Sequence, residues 1–264
     1  MKEFLRKNYK MGNDIFGLPQ EYKGIKLYPI KLKDLNYQEI FYSTFTHPKS
    51  YIPNKEVLKS SYLKFFIYVV IPNMNTDSEM IFKEFMHLLN YITHEEDIDL
   101  IPVRKDGEGL DSIDLFIQFG DIKLNEKDFD NMREIILEQN GLSIEYIEEY
   151  RPDLEKKLNF VNRGEDNLTL KDRIFTFCSL MRIDVNHLVD YTILQFNDHF
   201  EKLINLKEFD LYKPLLVSGQ IELKNGEIKH YLYHSKKSGR YEGILTSMED
   251  FKNSEAFKAL QNLK

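Results

Sequence analysis

The residues whose types and spacing could do chemistry gather near the C-terminal end of the sequence. Glu222-Leu223-Lys224, on an expected strand, matches half of a metal-dependent nuclease site. In such a site the Glu helps hold Mg²⁺ and the Lys stabilises developing charge, and Glu208 or Asp210 could supply the upstream acid. The tripeptide is short, and a Glu and a Lys beside a hairpin turn are usually solvated, so a Mg²⁺-dependent nuclease ranks third among the functions considered. His230 and His234 are four apart with no H-E-x-x-H arrangement. On one strand face they would stand about 13 Å apart, too far to share a metal. His230, Tyr231, Tyr233, His234, Lys236, Lys237, Arg240 and Tyr241 form a basic and aromatic cluster. It could stack bases and meet phosphates, or anchor a protein. The protein contact is preferred, with His230, Tyr231, Tyr233, Lys237, Arg240 and Tyr241 as the partner-binding candidates. The glycine-bearing run Arg104 to Gly109 has Asp106 and Glu108 where phosphate would sit and lacks a G-K-[ST] ending, and there is no G-x-S-x-G elbow. No catalytic residue, cofactor or metal ligand is assigned, and the expectation is a protein that is not an enzyme.

Composition narrows the class further. The 36 basic and 43 acidic residues of this 264-residue chain give a net charge of −7, so no general attraction to nucleic acid or anionic membrane is expected. Cys178 is the single cysteine, which excludes an internal disulfide and a multi-cysteine zinc site, and its apolar neighbours mark it as a core residue. The start, MKEFLRKNYKMGNDIF, lacks the apolar centre of a signal peptide. The most apolar run, FFIYVVIP from Phe65 to Pro72, is much too short to span a bilayer. A soluble protein that stays where it is made is expected.

The elements that must position these residues are mostly helices. Gln20 to Leu32 alternates around Lys23-Gly24 and predicts a hairpin with an edge strand at Pro29. A helix capped by Asp34 should run to Phe45. Another should run from Lys55 to Ile71, with Leu58, Tyr62, Phe65, Phe66 and Val69 on its face and Pro72 as its stop. A third, capped among Asn75, Thr76 and Asp77, should turn Met80, Ile81, Phe85, Leu88 and Leu89 inward. Ile98–Val103 and Ile113–Phe119 predict a second hairpin. Asn125 and Asp128 precede a helix with Phe129, Met132, Ile135 and Ile136 inward, ended by Asn140-Gly141, and Ser143 opens the next, which restarts at Pro152 and continues to about Val161. Thr169 and Asp172 suggest a capping box. It opens a helix pair at 169–206 whose faces carry Leu170, Ile174, Phe177 and Met181, then Val189, Ile193, Phe196, Phe200 and Leu203. Asn225-Gly226 is a type I′ turn pair for a hairpin near 219–234. Thr246 with Glu249 opens a last helix. The fold class is therefore mainly α with small β-hairpins (α+β), in segments 1–94, 95–162 and 163–264 that could form one continuous domain. Buried Phe196 and Phe200 would leave the hairpin rim as the contact surface, whereas exposed rings would make the helix pair the docking face.

Several phrases together resemble morphogenesis proteins of tailed phages and prophages of clostridia and related bacteria. They are GLPQEYKGIKLYPIKLKDL near the N-terminus, FDNMREIILEQNGL in mid-chain, and DYTILQFNDHFEKL followed by GEIKHYLYH. Within that group the tail assembly chaperone is the nearest functional class. The resemblance implies a protein of the host bacterial cytoplasm that binds the phage tape-measure or tail-tube protein. No membrane partner is expected from the short apolar run, and the acidic total ranks nucleic acid last as a partner. A structural subunit of the virion tail or baseplate is the alternative.

Overall fold

The computed structural model describes residues 12–218, apart from residues 53, 75–76, 107–108 and 156–168. Strands β1 (Gln20–Tyr22) and β2 (Ile25–Leu27) pair antiparallel around Lys23-Gly24. Both turn residues have positive φ, 49° and 88°, as a type I′ turn requires. The left-handed Lys23 gains an ion pair at 2.6 Å with Asp128, which also accepts from the Tyr22 hydroxyl at 3.2 Å. Strand β2 ends two residues before Pro29, so the proline lies outside the ladder.

The second sheet has the order β3 (Ile98–Arg104), β4 (Ile113–Phe119), β5 (Ile122–Asn125), all antiparallel. Pro102 has no N–H to donate, and it sits on the edge strand β3. Strand β5 extends the expected hairpin to three strands. Gly120, at φ 53°, makes the tight turn, and Leu124 joins Leu115, Ile117 and Phe119 in the core.

Helix α1 (Leu35–Phe45) forms without a side-chain cap from Asp34, whose carboxylate instead accepts from the Tyr91 hydroxyl at 2.7 Å. The helix expected over 55–71 is broken. α2 (Lys55–Lys59) stops at Ser60, and Ser61 caps α3 (Tyr62–Phe65); both serines are extended, with ψ 159°. The break turns Val57 inward and leaves Leu58 exposed, contrary to a single helical face. Phe66–Val70 is a π turn, followed by α4 (Ile71–Asn73). Pro72 cannot donate to the preceding turn. The Ile71 N–H reaches back to the Phe66 carbonyl, and the Asn73 side chain donates to the Val69 carbonyl at 2.7 Å. The proline thus shifts the ladder, and the helix ends one residue beyond it, at Asn73.

Asp77 caps α5 (Ser78–Thr93), which buries Ile81, Phe85, Leu88, Leu89 and Ile92. Met80, expected inward, is exposed because it lies a residue away from that stripe, roughly 100° round the helix. Asn125 caps α6 (Glu126–Gln139), and Ser143 caps α7 (Ile144–Glu148). Thr169 and Asp172 form a full capping box on α8 (Leu170–Met181). The second helix of that pair, α9 (Ile193–Val217), is longer than the sequence suggested. Val189 precedes it and is exposed, as is Met181.

Among the described residues one hydrophobic cluster runs from Ile25 to Leu203 and takes residues from all three expected segments. The helix pair is fastened to it by main chain. Leu32 N–H donates to the Tyr191 carbonyl at 2.9 Å, Ile193 N–H to the Ile30 carbonyl at 3.3 Å, and Lys31 and Thr192 form an antiparallel bridge. Phe177 meets Phe196 edge to face at 5.7 Å. Phe196 is buried and Phe200 half-buried, so the pair is core at this end. The fold is mainly helical α+β, as expected. Among the described residues no helix is long and apolar enough to cross a membrane.

Candidate partner-binding groove

The partner-binding candidates His230, Tyr231, Tyr233, Lys237, Arg240 and Tyr241 lie outside the described residues. So do Glu222, Lys224, His234, the Asn225-Gly226 hairpin, the helix opening at Thr246 and the 162–167 loop. Glu208 and Asp210 are exposed on α9. Among the described residues no three His, Cys, Asp or Glu side chains are grouped to hold a metal ion. Cys178 is buried, and burial, with Asp184 nearby, pushes its thiol pKa up, against a nucleophilic role.

What the described residues do form is an aromatic groove of about 300 Å³. Tyr42 and Thr46 come from the end of α1 and Pro48 from the turn after it. Tyr146, Ile147 and Tyr150 come from α7 and the residues just past it, and Leu142 completes the lining. Tyr51 continues the aromatic surface, with its ring centroid 6.1 Å from that of Tyr150. Tyr42 is 44% exposed, Tyr51 60% and Tyr146 43%.

Charge and hydrogen bonds under the floor hold the walls in place. A helix end leaves its last carbonyls without partners, and side chains supply them at the end of α1. His47 Nε2–H donates to the Ser43 carbonyl at 2.7 Å, and the Tyr62 hydroxyl to the Thr44 carbonyl at 2.8 Å. Arg133 donates to the Phe45 carbonyl through Nη2 at 2.7 Å and Nε at 3.1 Å. The Arg133 guanidinium also lies over the Tyr62 ring, 3.4 Å from its centroid. Burial pushes the Tyr62 phenol up to about 12 and the Asp130 carboxyl upward, although the Tyr62 N–H donates to Asp130 at 2.9 Å. Burial lowers the pKa of His47, opposed by its bond to Ser43.

Glu148 then clamps the turn to α7. Its carboxylate accepts from the backbone N–H groups of Lys49 at 3.2 Å and Ser50 at 3.1 Å, and its carbonyl from the Ser50 hydroxyl at 2.9 Å. Lys49 Nζ is held by the Ser60 carbonyl at 3.0 Å. Exposed Glu39 lies one turn before Tyr42, and exposed Glu145 and Glu149 flank Tyr146 in the chain. The result is a preformed aromatic slot beside acidic side chains.

Residues 162–236 match the family model of the YomV second domain, a Bacillus prophage type of domain. The segment is similar to that phage-type domain. No curated protein and no solved structure matches the chain. The match covers α8 and α9 and continues into the residues of the expected hairpin, whereas the groove lies wholly before it. Sequence reading passed over the groove because Tyr42 and Tyr146 are more than a hundred positions apart. The local signal was Tyr146 and Tyr150 at i,i+4, with glutamates between them.

Proposed function

We propose that the protein acts in phage morphogenesis by binding another phage protein, without catalysis, as a tail assembly chaperone in the host cytoplasm. The similarity of residues 162–236 to a prophage domain carries the phage context. The preformed tyrosine groove supports a binding role, since exposed aromatic clusters are a common anchor for protein partners. In this reading the tape-measure or tail-tube protein is the client, and the His230–Tyr241 rim adds a second contact surface. Quantitative mass spectrometry of purified particles and of the infected lysate tests it. The protein should be abundant in lysate and absent from mature particles. Stoichiometric copies in the tail would assign it instead as a tail or baseplate subunit. Mg²⁺-dependent nucleic-acid cleavage lost on Glu222→Ala would overturn the non-catalytic role.

A further inference from the structure

We propose that the tyrosine groove takes an extended segment of a partner protein that carries arginine and lysine. The inference rests on the partner-binding reading above and adds the chemistry of the bound segment.

Three observations point to that occupant. The first is the wall chemistry, in which tyrosine ring faces attract cations through their quadrupole. The described residues already use this contact, with Arg133 3.4 Å from the Tyr62 centroid, Lys123 4.2 Å from that of Phe116 and Lys213 5.0 Å from that of Phe209. The second is charge. Besides Glu148, whose carboxylate is taken up by the Lys49 and Ser50 N–H groups, residues 143–155 carry Glu145, Glu149, Asp153 and Glu155 against one basic residue, Arg151, and Glu39 stands on the α1 side. Of the nearby cations, Arg133 is buried beneath the floor and Lys49 is held by the Ser60 carbonyl. The chain as a whole is acidic at −7. A phosphate backbone would meet these carboxylates unfavourably, whereas a basic segment is attracted to them. The third is size. A helix about 11 Å across occupies roughly 500 Å³ per turn. The groove, at about 300 Å³, is smaller than that and seats individual long side chains. Its walls are preformed, so ordering costs on binding are small.

Fluorescence anisotropy on the full chain tests this with three labelled peptides of equal length and proline content. One bears arginine and lysine, one glutamate and one serine. The basic peptide should bind, and the other two should not. Tyr146→Ala should weaken binding about tenfold, the loss of a well-packed cation–aromatic contact. Glu145→Lys, at an exposed position, should weaken it as well, and decides the matter if Tyr146→Ala folds poorly, once its circular dichroism and urea midpoint match wild type. Tyr212→Ala on α9 should change nothing, and a single-stranded oligothymidylate should not compete. Equal binding of all three peptides, no binding, competition by the oligonucleotide, or a Glu145→Lys affinity equal to wild type would each overturn the proposal. Particle composition tests the chaperone reading separately, because a virion subunit could still bind the basic peptide.

Discussion

Phe41 and Tyr42 are neighbours in α1, and their rings meet edge to face at 5.5 Å. Phe41 is 1% exposed and Tyr42 is 44%. The same division holds around them. Phe45, Phe66, Phe85 and Phe129 interlock at centroid distances from 4.9 to 6.3 Å inside the core. Tyr42, Tyr51 and Tyr146 are tyrosines left partly in water. A phenolic tip tolerates water while the ring keeps its apolar and quadrupolar faces. Tyr62 marks the boundary between the two sets. It is buried like the phenylalanines, but its hydroxyl satisfies Thr44 and its ring carries Arg133. One set of aromatics fills the core, and the other lines or borders the groove with part of each ring in water.

Substitutions can separate the two sets, and the largest effect belongs to the core. Phe129→Ala removes a fully buried ring that touches Phe45 and Phe85. Urea unfolding should show a loss of about 3–5 kcal/mol. Arg133→Ala should follow at about 2–3 kcal/mol, because it leaves the buried Phe45 carbonyl without its charged donor. In that variant the groove should also bind peptide poorly, since the end of α1 forms one of its walls.

Acid tests the boundary next. The folded pKa of His47 lies below its ordinary value of about 6.5, chiefly through burial. The unfolded chain therefore takes up the proton first. The stabilisation is full above about pH 6.5 and is lost as pH falls through the folded value. Urea midpoints should drop across that window, and His47→Gln should remove that part of the slope. Thr169→Ala lies in the helix pair, remote in sequence from the groove, and removes the capping box of α8. It should cost about 1 kcal/mol by chemical unfolding and leave peptide affinity unchanged. Tyr42→Ala should move stability least, within about 0.5 kcal/mol, while it lowers affinity for the basic peptide. A Tyr42→Ala loss as large as that of Phe129→Ala would erase the distinction between the two sets.

Much of the fold was legible where one local rule sufficed. Lys23-Gly24, the caps Asp77, Asn125, Ser143 and Thr169, and the α5 stripe of Ile81, Phe85, Leu88 and Leu89 all followed from short-range patterns. Reading failed where two rules competed. The apolar period over 55–71 favoured one helix, but Ser60 and Ser61 take extended conformations and offered the chain a cap in place of another turn. Strand β5 was missed because four residues give too little alternation to register, although Gly120-Asp121 marked its turn. Little of the groove was legible, since Tyr146 and Tyr150 at i,i+4 show one wall of it and nothing of the other. Its walls meet across long stretches of chain, where Tyr62 and Arg133 bond to the end of α1, Glu148 bonds to the turn after it, and Ile147 packs into the core. The His230–Tyr241 cluster favoured from sequence falls outside the described residues.

Amide chemical-shift mapping with the arginine- and lysine-bearing peptide tests the central claim most directly, because it reads the contact surface residue by residue. The account predicts that perturbations concentrate at Tyr42, Thr46, Tyr146 and Tyr150 and spare the exposed end of α9 at Leu211 and Tyr212. Perturbations centred on Leu211 and Tyr212, with the groove silent, would contradict it.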